Sequence, residues 1–186
     1  MKLTNFTLIK NMISERIEQF NLVRKMGTAS AISIKTGKYQ SKSLDELVLD
    51  LLAPGNTVLL KIDVDGLDAS VLLSAGKLLA EFTPMVFSEC SVDDETQFSD
   101  WLRTIDHLNN LNYTHVYIFS NVGKFLNQYT LAEFKKYFLN HKKELLANKS
   151  SRYFDCLFIP LKFLELSDRA INSYLAKYES GHLSNI

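Results

Sequence analysis

The sequence predicts an α/β fold: a mostly parallel sheet with helices on both faces. From Val58 onward, short runs rich in β-branched and aromatic residues alternate with longer stretches of helical apolar spacing, the pattern of strand–helix–strand crossovers. The run "VLLKIDVDG", Val58 to Gly66, reads as a buried strand stopped by a glycine. The 186 residues, 46% hydrophobic and 23% charged, suffice for a sizeable core and exclude a disordered chain. No internal repeat, low-complexity tract or linker divides them, so residues 1–186 are expected to form a single domain with a frayed tail over 181–186.

Each element follows from its own local signal. "FTLIKNMI" and "IEQFNLV", joined by the polar "SER", predict a hairpin, and the Gly-, Ser- and Thr-rich "GTASAISIKTGKYQ" predicts a loop with a short strand. "SKSLDELVLDLLAPGN" predicts a helix capped by Ser43, with Glu46 completing a capping box and Pro54-Gly55 ending it. After the aspartate strand come helix "LDASVLLSAGKLLAEF", strand "PMVFSEC", helix "ETQFSDWLRTIDHLNNL" and strand "YTHVYIFS". A loop containing Gly123 leads to helix "TLAEFKKYFLNHKKELLA", strand "YFDCLFIP" and helix "LSDRAINSYLAKYE".

Several function classes are disfavoured. The 21 basic side chains equal the 21 acidic ones, so no electrostatic footprint for nucleic acid or an acidic membrane is present. The basic run "FKKYFLNHKKELL" is the solvated face of a helix whose Phe134, Tyr137 and Phe138 form its buried stripe. His107, His115, His141 and His182 lack metal-ligand spacing. Cys90 and Cys156 lie in apolar runs as buried free thiols, and no apolar run reaches transmembrane length or forms a secretory core, which predicts a cytoplasmic protein.

The chemistry concentrates at Asp63 and Asp65, which end a strand. In open α/β sheets that end faces the ligand crevice. A calcium loop needs its glycine at the sixth position, whereas Gly66 is fourth from Asp63. A binuclear ureohydrolase needs a proline where Ala69 stands. A haloacid-dehalogenase-like phosphatase also separates its nucleophile and its acid/base by one residue, with Ser88 and Asp93-Asp94 as possible companions, but Leu67 replaces its usual threonine. A glycosyltransferase with a metal-binding Asp-x-Asp would need earlier nucleotide-binding strands, which are hard to find.

A fuller match comes from Leu44-Asp45-Glu46-Leu47, the strand end Leu60 to Gly66 with Asp65 in place of the usual Glu, Val71 to Ala75 with Ser74 in place of the usual Gly, and Glu89 closing the next strand. In order and spacing these resemble the core of the FkbM family of S-adenosylmethionine-dependent methyltransferases. The resemblance implies a Rossmann-like class I methyltransferase sheet and O-methylation of a sugar or other small-metabolite hydroxyl. By carry-over from the family, Asp63 lies beside the cofactor; Asp65 is a candidate general base, and Glu89, at the next strand's end, is the second candidate catalytic residue, placed to bind substrate hydroxyls. Lys61 is read as structural, and a Lys61–Asp63 ion pair is the plain alternative for Asp63.

One departure stands beside these matches. The seven glycines are scattered, with no G-x-G pair, so the family's cofactor loop is missing. The chain therefore looks like the C-terminal two-thirds of such a domain, N-terminally truncated. In the usual strand order, the Asp63 strand then has an open edge, which predicts self-association or pairing with an N-terminal partner segment.

Overall fold

A computed structural model describes residues 7–16, 18–25, 28–33, 35–53, 59–64, 66–147 and 153–179 of the chain. Asp65, the Pro54-Gly55 helix stop and the expected frayed tail lie outside these residues. The N-terminal part is a four-stranded sheet of β1 (Met12–Ile13), β2 (Gln19–Lys25), β3 (Thr28–Ser33) and β4 (Tyr39–Lys42), in the order β1-β4-β2-β3. The expected hairpin between the first two strands is not formed: β1 pairs in parallel with β4, and β2 turns back onto β3.

α1 (Leu44–Val48) begins at the predicted cap, Ser43, whose side chain accepts from the Glu46 amide. Asp45 then reaches another helix. Its two carboxylate oxygens accept from the Lys77 and Leu78 amides at 2.8 and 2.9 Å, capping α3 (Gly76–Phe82). The predicted helix over 67–82 is accordingly two helices, α2 (Asp68–Leu73) and α3. At the break, Ser74 Oγ donates to the Val71 carbonyl and accepts from the Leu44 amide.

The second sheet holds five strands in the order β5-β6-β9-β7-β8: β5 (Leu59–Ile62), β6 (Met85–Cys90), β9 (Phe154–Pro160), β7 (Tyr113–Ser120) and β8 (Phe125–Thr130). It is mixed, which corrects the mostly parallel sheet expected from the sequence. Only β5 and β6 pair in parallel; β9 is antiparallel to both its neighbours, and β8 to β7. The cause is the unpredicted β8. The turn at Gly123, with φ of 76°, folds β8 back along β7, so that Thr130 ends beside His115 at the sheet's lower end. α5 (Leu131–Asn140) carries the chain up again and the six residues of α6 (Lys142–Ala147) follow; Phe154 enters beside Ser120 at the top, so β9 must run down.

α4 (Glu95–Asn110) packs with α2 and α5 over one face of this sheet. Leu72, Leu79, Val86, Leu108, Val116, Phe134, Phe138 and Phe158 are fully buried there. α7 (Leu164–Glu179) covers part of the other face, where Tyr117 donates to Asp168. β5 is the sheet's terminal strand, paired only with β6 among the described residues, and Leu59 on it is 57% exposed. No helix among the described residues is long and apolar enough to cross a membrane.

Candidate functional site

Parallel β5 and β6 end side by side, and each is followed by a turn into a helix. Those two turns and the start of the N-terminal sheet enclose a cavity of about 420 Å³, within the range of small-molecule sites. Ser14, Arg16, Glu18 and Phe20 form one wall, Gly66, Leu67, Ala69 and Ser70 the second, and Asp94, Thr96, Gln97 and Asp100 the third.

The walls are held together by polar contacts between distant segments. Ser14 Oγ and Ser70 Oγ lie 3.0 Å apart. Asp100 accepts from Arg16 at 3.2 Å and from Arg103 at 3.1 Å, and Arg103 also grips Glu15. Both guanidinium groups are about half exposed, so these pairs fix the position of residues 14–16 more than they add stability.

Gly66 has φ of 91°, a left-handed conformation that the turn out of β5 requires. A Cβ there would also sit 3.0 Å from Gln97 Nε2, while Gln97 Oε1 accepts from the Asp93 amide at 2.6 Å and cannot easily give way. Gly66→Ala is expected to cost about 1 kcal/mol or more, read as a melting temperature lower by roughly 2–4 °C. An unchanged melting temperature would show that this turn tolerates a side chain.

Of the acids singled out by sequence, the two that are described, Asp63 and Glu89, are not among the residues lining the cavity. Asp63 is exposed, with Oδ2 2.5 Å from Lys61 Nζ, and this contact is the main reason the ammonium pKa is raised. Glu89 stands directly across from Asp155 on β9, on the face opposite Ser88. Burial, and then Asp63, raise the Asp155 carboxyl pKa, while Lys61 opposes them. Asp65 adjoins Gly66 but lies outside the described residues. Among the described residues no group of three or more His, Cys, Asp or Glu is placed to hold a metal ion.

Sequence reasoning passed over Arg16, Glu18, Ser70, Gln97 and Asp100, because their convergence depends on how the N-terminal sheet docks. It also missed Asp68. This residue is 1% exposed; one carboxylate oxygen accepts from Ser88 Oγ at 3.2 Å, and the other, Oδ2, has no well-formed hydrogen bond among the described residues. Burial pushes its carboxyl pKa up, against the Ser88 hydrogen bond. Ser88 is buried, with its hydroxyl bonded to Asp68.

S-adenosylmethionine needs a glycine-lined backbone cradle, and the described glycines do not supply one. The space over Gly66 is filled by Gln97, Gly37 is closed against the Phe20 backbone at 2.5 Å, and Gly76 and Gly123 are open but stand singly, with no second glycine beside them in the sequence. These residues do not fit the cofactor. Comparison with family models, with curated proteins and with solved structures finds no match.

Proposed function

We propose that this chain is the acceptor-binding part of an FkbM-type methyl-transfer system, in which a hydroxyl oxygen of a sugar or small metabolite receives the methyl group of S-adenosylmethionine. The strand order β5-β6-β9-β7 supports this most directly. Within that run β5 and β6 are parallel and only β9 is reversed, so the carboxyl ends of β5 and β6 lie side by side, where the ligand crevice of an α/β sheet is expected. The sequence around Asp63 and a cavity at the carboxyl ends of parallel strands add to it.

In this scheme the described residues hold and orient the acceptor, and alignment of the hydroxyl supplies most of the rate. Asp65, next to the cavity-lining Gly66, keeps its candidacy as base; Asp63 and Glu89 serve from outside the cavity or not at all. In this reading the cofactor-binding portion lies outside the described residues, and the edge of β5, which among them pairs only with β6, offers a place for its strand. Without it, that edge favours self-association. Two buried free thiols, Cys90 and Cys156, accord with a cytoplasmic setting.

Calorimetry and a transfer assay test the proposal together. The chain alone is expected to show no S-adenosylmethionine binding tighter than about 1 mM. A form extended at its amino end by a Gly-rich strand–turn–helix is expected to bind it and to transfer a labelled methyl group to a hydroxylated acceptor. Tight binding by the chain alone, or an extended form that binds the cofactor and methylates no hydroxylated acceptor, overturns it.

A further inference from the structure

The chemistry of the cavity wall selects among hydroxylated acceptors. Its one cationic side chain, Arg16, is already engaged by Asp100, and Asp100 is satisfied by two guanidinium groups. Asp94 accepts from the Gln97 amide through Oδ1 only. The Glu18 carboxylate, half-buried in the same wall, has no hydrogen-bond or ion-pair partner among the described residues. The Ser14 and Ser70 hydroxyls share one hydrogen bond and accept from the Arg16 and Glu15 amides, and Thr96 and the Gln97 side-chain amide complete the polar lining. Phe20, Leu67 and Ala69 supply apolar surface beside these groups.

Among the described residues such a wall offers carboxylates in excess of its one cation, which is paired with Asp100. An anionic ligand would meet Glu18 and Asp94 uncompensated, with like-charge repulsion in a partly desolvated site. A ligand rich in donors meets the reverse condition: hydroxyls can bond to the carboxylates, and an ammonium group gains charge-assisted bonds as well. The apolar patches suit the C–H faces of a saturated ring. At about 420 Å³ the cavity takes a ligand of monosaccharide size.

We infer that the cavity binds an amino-bearing polyhydroxylated ligand, of the amino-sugar class, with Glu18 as the partner of its ammonium group. This deepens the methyl-transfer proposal by naming the acceptor's class, and it rests on that proposal only for the word acceptor. Binding itself needs neither cofactor nor transfer.

The test is titration of the isotopically labelled full chain with glucosamine, glucose, glucuronate and glucose 6-phosphate, followed by amide NMR shifts. Glucosamine is expected to bind at least about tenfold more tightly than glucose, and the two anions more weakly still, since one charge-assisted hydrogen bond in place of a neutral one is a difference of this order. The shifts should fall on residues 14–20, 66–70 and 94–100. In Glu18→Gln the preference for glucosamine over glucose should collapse while glucose binding persists. An anion binding as well as glucosamine, an unchanged preference in Glu18→Gln, shifts elsewhere, or no saturable shift with any of the four overturns the inference. Failure of methyl transfer by the extended form, with glucosamine still bound, overturns only the methyl-transfer proposal.

Discussion

Trp101→Ala is expected to lose about 3–5 kcal/mol, a large part of what holds a domain of this size folded. The indole is 1% exposed, stacks on Phe158 with ring centroids 6.2 Å apart, and donates from Nε1 to the Ser91 carbonyl at 3.1 Å. Ser91 is the first residue after β6, so this side chain ties the core to the turn that leads into the third cavity wall. Truncation leaves a void under α4 and an unpaired carbonyl in the turn. Trp101→Phe restores most of the volume without the hydrogen bond and should recover roughly half of the loss. Urea denaturation of both variants, read as midpoints at unchanged slope, checks this. A wild-type midpoint in the alanine variant would mean that Trp101 is dispensable.

Asp68→Asn is expected to stabilise the protein at neutral pH by about 1–3 kcal/mol, since it removes a buried charge with no well-formed hydrogen bond to one oxygen among the described residues. The pH dependence gives the sign. The folded-state carboxyl pKa is raised above its unfolded value, so the folded state holds its proton more tightly. Asp68 is therefore harmless at pH values below the unfolded pKa. Its penalty appears as pH rises through the interval between the unfolded and the raised folded pKa, and is complete above the latter. The stability difference between Asp68→Asn and wild type should follow that course, small in acid and largest at neutral pH. A difference that shrinks as pH rises would mean that Asp68 is stabilised in its charged form, through a partner for Oδ2.

The two ends of legibility meet at β5. The apolar run before Asp63 and the glycine after it were sufficient to place a strand, a turn and a helix, because burial pattern and turn chemistry are local. That Lys61 would face away from Ile62 also follows from strand alternation, and the Lys61–Asp63 pair is the plain alternative the sequence offered. β8 was missed because "FLNQYT" shows no strong strand pattern, although Gly123 marked its turn. That omission carried the error in sheet type, since a strand without its own crossover helix reverses the direction of the next. The cavity could not be read at all: Arg16 meets Asp100 only through docking of two sheets.

The clasp at the cavity mouth joins residues far apart in the chain. Arg16 and Asp100 are 84 positions apart, and Glu15 and Arg103 are 88. Contacts of such separation require long loops to close, so they form late in folding, after the local strand–helix units have assembled. The guanidinium ends of both pairs are about half exposed, where ionic strength screens them, while the Asp100 carboxylate they share is buried and screened less. The N-terminal wall of the cavity therefore hangs on a few long-range polar contacts and not on the aromatic core, and added salt is expected to raise hydrogen exchange at residues 14–16 before it does so in the five-stranded sheet.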